Sequence, residues 1–357
     1  MNSRKSNFEL LRFVAMMFII LFHLTLNSEY RTVNSFSYFN FIFSFFNCGG
    51  KLGVTLFVMI CGYFMINKEI KFSKLIKLEG QVLFYSILFF IINILFLGGS
   101  VNFIKSLNSF LPNIMKSYWF FSSYFVLYLF IPYINKFISI ISRKNFLRLL
   151  VLGFIFLIFI PSINIISDDF SNILYLVFYY LVGGYISKFY RERSFNKLKM
   201  IILFLISYGT IVLSFMILSI LSLKAVYLKS YISSYYSLDS VFLLISSISL
   251  FLFFKDIKIK SKFVNFLGSS SFGVYLFHEN IFVKYRIWNE VFKIYKFYGS
   301  NLFLFYSIGA VICVYFIGCI IEIVRKNTIG KLFDKLIDYF SKSRVYIDLQ
   351  NRLNIKD

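Results

Sequence analysis

Residues 8–26 read FELLRFVAMMFIILFHLTL, and within them only Glu9, Arg12 and His23 can carry a charge. About 20 mainly apolar residues are needed to take a helix across the hydrocarbon core, so the stretch is long enough to span. Backbone N–H and C=O groups in lipid must be satisfied within the segment or in a closed barrel. Alternating short strands are absent and Pro occurs only 3 times in 357 residues. The stretch is therefore predicted to be a transmembrane helix.

The same pattern recurs along the chain. Apolar residues make up 59% and Phe occurs 50 times, against about 45–50% apolar in soluble domains. Ten spans are predicted, roughly Phe8–Leu26, Leu52–Ile66, Val82–Leu97, Tyr118–Ile134, Phe146–Ile160, Ile173–Ile186, Met200–Leu223, Leu238–Phe254, Val264–Val283 and Leu302–Val324. The expected fold is all-α, a polytopic transmembrane bundle of about ten spans.

Orientation follows from Lys and Arg in the connections. With the N-terminus in the cytoplasm, the inner segments carry 26 of the 38 Lys and Arg and the outer loops 10. Lys68–Lys77 and Lys188–Lys199 fall inside, and Asp168-Asp169 outside. Both termini are thus expected in the cytoplasm. The net charge of +22 sits in short clusters between apolar runs, as in membrane loops, and nucleic acid is not expected as a partner. No linker or repeat marks a second domain, so residues 1–324 read as one membrane domain and 325–357 as a short basic cytoplasmic tail. Within the tail, Ile329–Phe340 is amphipathic and suited to the inner leaflet.

Cysteine points to no site. Cys61, Cys313 and Cys319 lie in apolar spans and Cys48 just before one, with no CxxC or Cys/His metal spacing, so no metal is expected. A cleavable leader is not expected either, because Arg12 and His23 interrupt the first apolar stretch and no small-x-small site follows.

Ionisable groups inside spans are costly and mark function by default. Here they are Glu9, Arg12, His23, Asp239, His278 and Glu279, with Glu79 and Glu322 at span ends. The chain has only two histidines, and both fall in spans. Arg12 and His23 are eleven residues apart, close to three helical turns, so they share a face about 16 Å apart along the axis. Glu9, one turn before Arg12, is placed to pair with it. One helix face thus offers a cation at the inner entrance and a titratable base deeper in the membrane. The plainer alternatives are a snorkelling Arg that sets topology and a His that hydrogen-bonds between helices. Gly49-Gly50-Lys51-Leu52-Gly53-Val54, opening the second span, suits close helix packing or the wall of a cavity.

Four stretches in order resemble the acyltransferase-3 family of bacterial membrane acyltransferases, the stand-alone surface-polysaccharide O-acetyltransferases above all. Asn7-Phe8-Glu9-Leu10-Leu11-Arg12-Phe13-Val14-Ala15, running on to Phe22-His23, is similar to the family's opening helix and keeps its Arg-x10-His spacing. Gly53-Val54-Thr55-Leu56-Phe57 through Gly62-Tyr63 resembles its second helix. Tyr118-Trp119-Phe120-Phe121 with Tyr124, Tyr128 and Pro132 resembles a third motif, and Ser271-Phe272-Gly273-Val274-Tyr275-Leu276-Phe277-His278 a fourth. The resemblance implies acyl-CoA, acetyl-CoA in particular, as a donor substrate with no permanently bound cofactor, and a glycan or lipid-linked oligosaccharide as acceptor. It further implies His23 as the catalytic residue, assisted by Arg12 and its partner Glu9. Arg12, Lys74 and Lys77 would hold the donor, and Trp119, Tyr124, Tyr275 and His278 would contact substrate. Lys74 and Lys77 stand where the family usually carries paired arginines. Larger members append an extracellular esterase-like domain; without one, the acceptor is expected to meet the membrane domain itself. The location implied is a bacterial plasma membrane. The rival reading is a glycan flippase or polymerase, against which the lack of a large outer loop speaks. Direct base catalysis by His23 and an acyl-His relay both remain open.

Overall fold

In the computed structural model, residues 5–30, 33–98, 102–163 and 172–353 are described, and they form helices and connecting turns with no strand. Helices α1 Ser6–Asn27, α2 Tyr38–Asn47, α3 Gly49–Met65, α4 Phe72–Leu95, α5 Phe103–Phe110 and α6 Trp119–Ile140 come first. Next come α7 Arg143–Ser162, α8 Asn172–Phe189, α9 Lys197–Leu221, α10 Val241–Lys255 and α11 Lys262–His278. After a run of short turns come α12 Phe303–Asn327, α13 Ile329–Phe340 and α14 Arg344–Leu353.

Every predicted span overlaps a helix, although Val264–Val283 runs past the helix end at His278 and Leu238–Phe254 starts before Val241. Among the described residues, seven are long and apolar enough to cross a membrane: α1, the α2–α3 pair Tyr38–Met65, α4, α6, α7, α9 and α12. The other three, α8, α10 and α11, are largely enclosed. Much of α8 from Tyr175 to Ser187 is buried, as are most of α10 after Val241 and α11 after Gly268. A helix walled by protein need not match the thickness of lipid, which accounts for their modest length. The second span starts earlier than predicted. Tyr38–Asn47 is itself helical, and the Cys48 N–H donates to Ser44 O at 3.1 Å, so helix runs almost unbroken from 38 to 65. Helix starts are fixed by polar caps: the side chains of Ser142, Asn196, Ser240 and Ser261 accept the backbone N–H three residues on, which satisfies one otherwise orphaned donor at each. Asp168 and Asp169 lie outside the described residues.

Helix α1 is central, packed against α2, α3, α10, α11 and α12. Leu11, Ala15, Ile20 and Leu24 on it are buried. Helices α3 and α8 cross closely at glycine. A Cβ on Gly62 would overlap the Tyr180 carbonyl, and one on Gly183 the Met59 carbonyl.

Candidate active site

The cavity of interest lies between α1, α3, α4, α6, α11 and α12 and encloses about 800 Å³, within the size range of ligand sites. At one end it is lined by Arg12, Lys68, Lys74, Lys77, Arg325 and Lys326. These belong to the first two turns of α1 and α4, the last turn of α12 and the turn after α3, so all mark the same end of the bundle. From there the walls become apolar and aromatic, through Ile19, Phe57 and Tyr124 to Phe120 and Tyr275. Phe120 opens α6 and Tyr275 lies in the last turn of α11, so the cavity runs far along the bundle.

Arg12, Lys77, Arg325 and Lys326 at the mouth are held by carboxylates. Arg12 Nη1 donates to Glu9 Oε1 one turn earlier, and the Glu9 side chain is buried against Gly268, where a Cβ would touch it. Arg325 donates to both oxygens of Glu322, at 2.9 and 2.8 Å. Glu322 is only 1% exposed and also accepts from Tyr85 at 3.0 Å and Gln81 at 3.1 Å. A buried carboxylate with this many donors is well compensated, and it fixes the arginine fork. Lys77 Nζ lies 2.7 Å from Asp334 of α13.

At the far end of the bundle the two histidines meet. His23 Nδ1 lies 2.9 Å from His278 Nε2, and His278 Nδ1 lies 2.7 Å from Val274 O. The carbonyl can only accept, so His278 Nδ1 carries a hydrogen. With both rings neutral, Nε2 of His278 is then an acceptor, and His23 Nδ1 carries the hydrogen shared between them. This assignment rests on the hydrogen-bond partners. It leaves His23 Nε2 with its lone pair, and no described residue hydrogen-bonds that atom. Glu279 Oε2 lies 3.1 Å from His23 Nδ1, and its Oε1 is 3.2 Å from Lys284 Nζ. A positive charge forming on His23 would face that carboxylate. Tyr275 joins the pair to the cavity: its ring lies 6.2 Å from that of His278, and its buried hydroxyl lies by the Phe120 backbone with no side-chain hydrogen-bond partner among the described residues.

Most of the residues singled out in the sequence thus converge. Arg12, Lys74, Lys77, Tyr124 and Tyr275 line the cavity, Glu9 holds Arg12, and His23 and His278 bond to each other. Trp119, His23 and His278 do not line it: the histidines adjoin it only through Tyr275, and Lys51 sits over the Trp119 ring, 3.9 Å from the centroid. Missed in the sequence were Lys68, Arg325, Lys326 and the α13 residues Gly330, Phe333 and Asp334. A signal for Arg325 existed. Glu322 and Arg325 repeat the three-residue spacing of Glu9 and Arg12, so each places a carboxylate one turn before an arginine. Among the described residues no group of three or more His, Cys, Asp or Glu is arranged to hold a metal ion.

This is a multi-pass membrane protein with a long cavity, cationic at one end and approaching a histidine pair at the other. Residues 5–322 match the family model of the acyltransferase domain, acyltransferase-3, and the chain belongs to that family, which points to membrane acyltransferase activity. No curated protein and no solved structure matches it.

Proposed function

We propose that the chain transfers an acyl group, acetyl above all, from acyl-CoA to a hydroxyl of a cell-surface or lipid-linked glycan, in a bacterial plasma membrane. The observation that carries this reading is the polarity of the cavity. Six cations surround its mouth, and an aromatic channel leads from them to Tyr275, beside the His278–His23 pair. That order matches a polyphosphate head, a long thin arm and a thioester. The charge distribution supports a mouth on the cytoplasmic side, where acyl-CoA is found.

In this reading the phosphates rest on Arg12, Lys74, Arg325 and Lys326, and on Lys77 once it leaves Asp334. The thioester carbonyl lies toward Tyr275, whose O–H donates to the oxygen as negative charge builds there. His23 Nε2 takes the proton from the sugar hydroxyl as its oxygen attacks the carbonyl carbon. The C–S bond then breaks, and the departing thiolate takes that proton. Ester and free thiol are the products. His278 keeps His23 in the tautomer with a free Nε2, and Glu279 faces the imidazolium while it exists. An acyl-His23 intermediate would use the same nitrogen as nucleophile.

The donor half is tested on Arg12. Hydrogen bonds to charged groups contribute about 1.5–3 kcal/mol, so Arg12→Ala is expected to raise KM for acetyl-CoA at least about tenfold. Arg12→Lys keeps the charge but loses the planar fork, and should fall between. Steady-state kinetics of the purified variants check this. An unchanged KM in Arg12→Ala would leave Arg12 a packing or topology residue.

A further inference from the structure

Helix α13, beyond the family match at residues 5–322, forms part of the cavity wall. Gly330, Phe333 and Asp334 line the cavity. Phe333 lies against Gly80 of α4, where a Cβ would overlap its ring, and Asp334 pairs with Lys77. The neighbouring face of α13 is apolar and uncovered. Ile329, Leu332, Leu336 and Tyr339 are 52, 61, 56 and 82% exposed, at the three- and four-residue spacing of one helical stripe. Lys331 and Lys335, both exposed, border that stripe. It continues the exposed apolar side of α12, where Ile320, Ile323 and Val324 are uncovered, across the single linking residue Thr328.

We propose that α13 is a membrane-surface helix that docks on anionic phospholipid headgroups and thereby holds one wall of the cavity in place. Continuity with the lipid-facing side of α12 argues for bilayer rather than a protein partner on the apolar stripe. A stripe edged by lysines is the pattern of helices lying in the headgroup region, and each such lysine near an anionic surface strengthens binding about fivefold. Lipid composition then reaches the cavity through Phe333 and the Lys77–Asp334 pair. Docking itself is independent of the catalytic reading above; only its effect on the donor rests on that reading.

The test uses the full chain reconstituted in vesicles of phosphatidylcholine alone or of phosphatidylcholine with phosphatidylglycerol. In Leu336→Trp, the added fluorescence is expected to be quenched by bromine-labelled lipid, more strongly when phosphatidylglycerol is present. Adding Lys331→Glu and Lys335→Glu should reduce that quenching. In the charge-reversed chain without the tryptophan, KM for acetyl-CoA should rise about fivefold or more with kcat little changed. Strong quenching by aqueous iodide and none by brominated lipid, in both vesicle types, would overturn the docking. Lipid quenching that ignores phosphatidylglycerol would overturn the anionic headgroup as partner. Docking with an unchanged KM would overturn the link to the cavity, and a wild-type chain that consumes no acetyl-CoA would sink the catalytic reading while the quenching still decides the docking.

Discussion

His23→Ala is expected to abolish detectable O-acyl transfer, and His23→Gln to do the same. A general base contributes about 10²–10⁴-fold to rate, and glutamine takes no proton at neutral pH. The two substitutions separate chemistry from packing. His23 Nδ1 bonds to His278 Nε2, and a glutamine amide N–H can still donate to that nitrogen. If the bond only holds α1 to α11, His23→Gln keeps most activity and His23→Ala fails through lost stability. If Nε2 is the base or the acyl carrier, both variants are inactive while their melting in detergent stays near wild type. Ester incorporated into glycan, measured beside the melt, decides. Near-normal turnover in His23→Gln would remove His23 from the chemistry.

The second large effect falls on the α3–α8 crossing. In Gly62→Val and Gly183→Val the new side chain meets a backbone carbonyl of the opposite helix. A backbone oxygen cannot rotate aside, so the helices must separate. Overpacking typically costs about 1–3 kcal/mol, and these positions belong at the upper end or beyond, because Met59 and Tyr180 are themselves buried. Gly209, within α9, has open space where its Cβ would be. Gly209→Ala is therefore expected to be neutral or slightly stabilising, since Gly weakens a helix interior by about 0.5–1 kcal/mol relative to Ala. The fraction of folded, monodisperse protein after heating in detergent reads all three. Wild-type melting in both valine variants would show that the helices do not cross this closely.

The helices themselves were legible because lipid leaves few choices: a long apolar run lacking alternation and rich in Phe has to be helix. Positions such as Arg12 and His23 stood out for the same reason, since charge in a span is costly. The pairing of His23 with His278 was hidden by 255 residues of separation; periodicity places each on a face but does not say which faces meet. The start of the second span was missed because Asn40, Ser44 and Asn47 break the apolar run. In the fold Ser44 Oγ donates to Asn40 O within the helix, and Tyr30 donates to Asn40, so the polar groups are satisfied. Arg325 and Lys326 read as tail charges because they follow the last apolar residue of α12. Only the approach of α4 and α11 shows that they border the cavity rather than solvent alone.

The most direct test of the account is donor consumption by the purified chain. Reconstituted in vesicles with acetyl-CoA and a polysaccharide acceptor, it should release free thiol in step with ester formed on the acceptor, and the His23→Gln chain should release none above background. Absence of thiol release by the wild-type chain, or equal release by the His23→Gln chain, would contradict it.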